Sequence, residues 1–298
     1  MHTTITAVTR SLFTLLLFVV TLAVARAEPP VPMLWQVGDR VHLLGSMHLL
    51  TPEDYPLAPV VEEIFARADK VVFELDPQEA MSPALAQRMV QAGMLAGPET
   101  LRGLVAESTW ALLADYGASS GMQPAFFERM KPWMVSLVIV MGEVQRAGFR
   151  PDLGLDRHLM ERAQAAGKAT AGLERGEQQI AVFDGLSPAV QEEMLVRTLE
   201  QARDPESTRR LHRLWRAGDE AGLVAYIGEE LAAYPEVYRA INADRNREWL
   251  PRVRQYVDGD QRVLVVVGAL HLIGEDGLPA LLRETGLRVE RIGCDPCR

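Results

Sequence analysis

The sequence predicts an α/β fold, with a mainly parallel central sheet flanked by helices and a large helical middle region at about residues 81–250. Three observations predict it. KVVFELD (70–76) and RVLVVV (262–267) are short β-branched apolar runs, as expected of strands buried on both faces. The end of the chain, RVLVVV, GALHLIGED, GLPALLRET and LRVERI, reads strand, loop, helix, strand, the size of a crossover between parallel strands. Between the two runs the apolar spacing is helical almost throughout.

The elements follow in order. Residues 1–27 read as a signal peptide: Arg10 gives positive charge, Leu12 to Val24 form a short apolar stretch, and Ala25-Arg26-Ala27 fits a small-x-small cleavage site. The stretch is shorter than the roughly 20 residues of a membrane span, so a retained anchor is the weaker reading. The mature chain, 28–298, is then a single domain with no membrane span, placed in the periplasm or secreted. MLWQVGDRVHLLGS alternates around a Gly-Asp turn and predicts a hairpin of Met33–Val37 and Arg40–Leu44. TPEDYPLAPVVEEIFARA predicts a helix with Thr51 as N-cap, and KVVFELDP a strand ending at Glu74 and Asp76. Pro132 starts a core helix, WMVSLVIVMGEVQRAGF, because the first turn does not need its missing N–H. Leu155, Leu159 and Ala163 mark the apolar face of the next helix, ATAGLE is a short strand, and residues 177–250 are helical with breaks near Asp184–Ser187, Arg203–Pro205 and Gly218.

Composition removes some functions. Forty Asp and Glu stand against 31 Lys and Arg, and the leader carries two of those bases and no acid. Such a body repels nucleic acid and anionic lipid. The arginines at 209–216 read as the solvated side of a helix. The two cysteines, Cys294 and Cys297, close the chain in GCDPCR. A local disulfide suits an exported protein, free thiols come next, and a redox motif fits least because no helix follows.

Chemistry-bearing residues cluster at predicted strand ends. His48 lies four residues past one strand, Glu74 ends a second, Glu174 a third, and His271 lies four past a fourth. Both histidines sit in Gly-x-x-His (Gly45 to His48, Gly268 to His271). Parallel strands would set all four side chains along one edge, where α/β sheets bind ligands. Two imidazoles and two carboxylates suit a divalent metal of the manganese, iron, cobalt or zinc range. Taken singly, a histidine after a strand reads as a hydrogen-bonded loop residue and a terminal Glu as a surface acid; only the paired motifs lift the metal reading level with these. There is no His-Glu-x-x-His, no Gly-x-Ser-x-Gly and no nucleotide-binding glycine pattern. His42 reads as a packed strand residue, and His158 and His212, in charged helices, as exposed.

At these residues the chain resembles the TraB/PrgY/GumN family, which includes the Tiki proteases. The resemblance spans roughly 33–293: LLGSMHLL, VVFELD, KPWM, GLDRHLMERAQAAGK, GLERGEQQIAVFDGLS, DRNREW and VVGALHLIGEDGLPALLRETGLRVERI. Each motif is weak alone; seven in the family's order are specific, and the GumN-like bacterial branch is nearest. Ser46 stands where Thr is common, and Leu270 where Gly is frequent. The resemblance implies an EreA/ChaN-like fold. It also implies a divalent metal, manganese or cobalt ahead of zinc or iron. His48 and His271 become ligands or their immediate partners, and Glu74 and Glu174 ligands or general base. Arg245 would stabilise developing charge and Asn246 orient the substrate, unless the two are a helix-surface pair. Asp156 and Lys131 would stand behind the site.

The first function expected is therefore an exported, peptidase-like metal-dependent hydrolase acting on a peptide or small molecule through metal-activated water. The alternatives are a non-catalytic binder of metal, haem or a small ligand, and an accessory to polysaccharide export. Fold and motif leave the reaction open, and the oligomeric state is not legible.

Overall fold

The computed structural model describes residues 28–231 and 234–293. The leader expected at 1–27 and both cysteines lie outside the described residues. Six strands, β1 (Leu34–Val37), β2 (Val41–Ser46), β3 (Lys70–Leu75), β4 (Ala169–Glu174), β5 (Val263–Gly268) and β6 (Val289–Ile292), form one sheet in the order β4-β3-β5-β2-β1-β6. β4, β3, β5 and β2 run parallel. β1 is antiparallel to β2 and to β6.

The inner strands are where the sequence is most apolar. Val71, Val72 and Phe73 of β3 and Leu264, Val265 and Val267 of β5 are fully buried. Each such side chain contributes about 1.5–3 kcal/mol by leaving water, so the β-branched runs go to the centre and are covered on both faces. The hairpin is as expected, turning at Gly38, whose φ of +55° suits a residue without Cβ.

Two expectations change in detail. Thr51 caps only a 3₁₀ turn, Pro52–Asp54, and the helix begins at Pro59 and runs to Arg67. Three prolines within TPEDYPLAP hold the preceding residues out of the α region, so no helix can run through them. The terminal crossover is also wider than read: β5 and β6 share a sheet but are separated by β2 and β1.

The middle of the chain is helical apart from β4. Pro132–Arg146 starts at its proline, and Leu155–Ala165 buries Leu155, Leu159 and Ala163 as their spacing requires. Leu113, Phe127, Val135, Ile139, Leu195 and Leu199 make a second apolar cluster away from the sheet. Pro205–Arg216 and Glu220–Leu231 pack over the carboxyl end of β2. Among the described residues, no helix is long and apolar enough to cross a membrane.

Candidate functional site

The site follows from strand order. β2 and β5 are adjacent and in register, with Ser46 opposite Gly268, so the loops carrying His48 and His271 leave the sheet side by side. β3, on the far side of β5, contributes Glu74, and β4 beyond it contributes Glu174. All four predicted strand-end residues therefore stand at one edge, the carboxyl end of the parallel strands. His48, Glu74 and His271 line one cleft there, with Ser46, Asn242 and Arg245.

Close backbone approach makes this possible. A Cβ on Gly45 would lie 2.8 Å from the Met33 Cβ and 3.0 Å from the Ala269 Cα. One on Gly154 would meet the His48 carbonyl oxygen at 2.3 Å. Lacking a side chain, Gly154 brings the start of Leu155–Ala165 against the His48 loop, and Asp156 Oδ1 reaches 2.9 Å from His48 Nδ1.

Arg245 is the centre of the charge network. A π-helical turn, Arg239–Ala243, runs into the helix Asp244–Asp258 and puts Arg245 and Asn246 in its first turn; such turns are rare and frequent at functional sites. Arg245 Nη2 donates to Glu74 Oε2 at 2.6 Å and to Glu174 Oε1 at 2.7 Å. Its Nη1 lies 3.1 Å from His271 Nε2, and its guanidinium stacks over Trp249, one turn on, at 4.6 Å. Asn246 is thus buried and Arg245 half-buried in the site, and they are not a helix-surface pair.

Glu174 takes a different place from the one its position at a strand end suggests. Its Oε2 accepts from Arg245 Nε at 3.2 Å and from Trp249 Nε1 at 3.0 Å, while its Oε1 accepts from Arg245 Nη2. Both oxygens are committed to protein donors and the side chain is 3% exposed. It anchors Arg245. Glu74 also has both oxygens engaged, but unlike Glu174 it lines the cleft: Oε1 accepts from the Gly268 N–H at 2.8 Å and stands 3.9 Å from His271 Nε2. Gln179 donates to Oε2 at 3.2 Å.

The His271 tautomer is set by its neighbours. Asn246 Nδ2 donates to the Asp276 carbonyl at 2.8 Å, which turns Asn246 Oδ1 toward His271 Nδ1, 2.7 Å away. Nδ1 therefore carries the proton, and the Nε2 lone pair faces Arg245 and the cleft. Burial, against the pull of Glu74, pushes this imidazole down to about 3, so it is neutral. The Glu74 carboxyl is raised by its own burial, but His271, Arg245 and His48 outweigh that and hold it at about 2. The Asp156 charge raises His48, whose side chain is 61% exposed, to about 9.

Whether a metal fits can be judged from the donors. His271 Nδ1 is hydrogen-bonded to Asn246 Oδ1, the arrangement that orients Nε2 in metal sites, whereas Asp156 Oδ1 stands 2.9 Å from His48 Nδ1 without completing a hydrogen bond. Glu74 is ionised. The donor types of these three fit a divalent ion provided that His48 gives up its proton to it; Glu174 does not line the cleft. Among the described residues no three His, Cys, Asp or Glu side chains converge to hold an ion as they stand.

Other expectations fall out separately. Lys131 pairs with Asp184 at 2.6 Å and does not line the cleft. His212, expected exposed, is held against the buried Asp54 by hydrogen bonds of 3.0 and 2.9 Å. His158 is half-buried against the Tyr55 ring. Sequence reasoning missed Trp249, Gln179 and Asn242. Helical spacing carried a signal for two of them, since Trp249 lies four residues after Arg245 and Asn242 four before Asn246. Gln179 had none.

The TraB/PrgY/gumN family model matches residues 33–291. Uncharacterized protein YbaP of Escherichia coli (strain K12) is 26% identical to this chain, over 83% of it and 89% of YbaP. The YbaP of Shigella flexneri is 25% identical, over 81% and 87%. No solved structure matches.

Proposed function

Because this chain belongs to the TraB/PrgY/gumN family, we propose that the cleft at the ends of β2, β3 and β5 is the active site of an exported metal-dependent hydrolase. Its substrate is a peptide or a small amide or ester. The observation that carries this reading is the convergence of His48, His271 and Glu74 on one cleft, with Asn246 hydrogen-bonded to His271 Nδ1 and Asp156 2.9 Å from His48 Nδ1. His48, His271 and Glu74 would hold the ion, manganese or cobalt ahead of zinc or iron. A bound divalent ion would lower the pKa of a water and polarise a carbonyl.

The chain's own residues supply the rest. Arg245 keeps a full positive charge beside Glu74 and His271, placed to stabilise the oxygen on which negative charge develops. Glu174 and Trp249 fix its orientation, so little reorganisation is needed as the reaction proceeds. Asn246 keeps the His271 Nε2 lone pair on the cleft side.

The test is metal content by mass spectrometry after loading with manganese, cobalt or zinc, beside a peptidase screen. Wild-type protein should retain about one ion per chain. His48→Ala with His271→Ala, and Glu74→Gln, should lose it while staying folded, whereas Glu174→Gln should keep it and lose turnover. Equal metal in wild type and the double variant would overturn the reading. Bound metal without hydrolysis would favour a non-catalytic binding protein.

A further inference from the structure

The cleft is not polar throughout. Glu74, Arg245, His48 and His271 occupy one end. The other is walled by Leu211 and Trp215 from one helix, Leu223 and Ile227 from the next, Ile241 from the π-helical turn and Leu270 from the second Gly-x-x-His loop. Solvated surfaces do not gather apolar side chains from four elements around an open space without something to cover them. Two buried polar atoms on this cleft have no protein hydrogen-bond partner: Ser46 Oγ, on a residue 2% exposed, and Asn242 Nδ2, on one 4% exposed. Neither atom has surface open to the cleft; Arg245, with 14% of its side chain exposed, is the cationic donor that lines it.

We infer that the site takes acyl compounds, amides or esters whose acyl group is apolar. The chain would lie against Leu211, Leu223, Ile227 and Leu270, and the carbonyl oxygen would accept from Arg245, the cation that lines the same cleft. The inference rests on the hydrolase reading for its location, and it names the substrate class of that same site. The cavity is about 260 Å³. At the ~30 Å³ of a water-sized group in a liquid, it has room for roughly nine heavy atoms, which matches a six-carbon acyl group with its amide.

The test separates this from the hydrolase reading by measuring binding without turnover. Isothermal titration calorimetry with N-methyl alkanamides from acetyl to octanoyl uses neutral probes that carry the carbonyl and little else. Affinity should rise about three- to fourfold per methylene, as ~0.8 kcal/mol per CH₂ implies, and level off near hexanoyl. Ile227→Trp should move the optimum to shorter chains and Ile227→Ala to longer ones, a reordering that loss of fold cannot produce. A flat series, or the same optimum in both Ile227 variants, overturns the inference whether or not the protein hydrolyses anything. A chain-length optimum that moves as stated, in a protein without turnover, sustains it and sinks the hydrolase reading instead.

Discussion

Two buried carboxylate clusters lie on either side of the His48 loop, and they are built from the same side chains to different ends. Asp54, with no exposure, accepts from the Thr51 backbone N–H and hydroxyl, from His212 and from Arg216. Both oxygens are engaged, and the cluster fastens the helix Pro205–Arg216 to the turn after β2. Glu74 also meets an arginine and a histidine, but its neighbours Ser46 Oγ and Asn242 Nδ2 have no protein partner and a cleft lies in front of it. A charge cluster whose hydrogen bonds close on themselves is a fastening. One that leaves polar atoms unpaired beside a cavity is a site. Residue types do not separate the two; the count of unsatisfied atoms does.

Three substitutions would break or sharpen that contrast. The largest effect should come from Arg245→Ala, which leaves Glu74 and Glu174 buried and facing each other without a cation. Removing one partner from a buried ionic network costs about 3–5 kcal/mol, read as a lower midpoint in urea unfolding of the metal-free protein. A loss under about 1 kcal/mol would mean that water reaches the pair and that the network is no anchor.

Asp54→Asn should cost less, about 2 kcal/mol at neutral pH, and the cost should depend on pH. Burial raises the Asp54 carboxyl, but His212, Thr51 and Arg216 together draw it down to about 2, against an ordinary 3.8. A depressed folded-state value means that its stabilisation is complete above about pH 4 and disappears as pH falls through 2. Wild type and variant should therefore converge in acid, which paired unfolding curves from pH 7 to pH 2 would show. A gap that stays constant to pH 2 would remove the ionic role of Asp54.

The smallest effect on stability should be that of Ser46→Ala. Its hydroxyl makes no protein hydrogen bond, so its loss should change stability by under about 0.5 kcal/mol. A fall of 2 kcal/mol would show that Ser46 belongs with the closed cluster and not with the open one.

Much of this was legible in the sequence, and the missing parts share a cause. β3 and β5 stood out as β-branched runs, and the four strand-end residues were placed on one edge by the rule for parallel strands alone. What spacing could not carry was direction and partnership. Glu174 looks like Glu74 in sequence; only the position of Arg245, 71 residues later, makes it an anchor. His212 sits in a helix rich in arginine and was read as solvated, because Asp54 lies 158 residues away. The helix expected from Thr51 failed locally, where three prolines overrode a good cap. The apolar end of the cleft was hidden because its side chains read as ordinary helix faces until four elements meet.

The place of β5 has a consequence for how the protein is made. β2 and β3 leave the ribosome early, yet the strand between them ends at residue 268. At about 5–20 residues per second, the facing edges of both strands stay open for on the order of 10–40 s. Unpaired edges are templates for the wrong neighbour. Until the late strand slides between them, a nascent chain has two half-sheets and no cleft, so anything that holds it extended during that interval protects the fold.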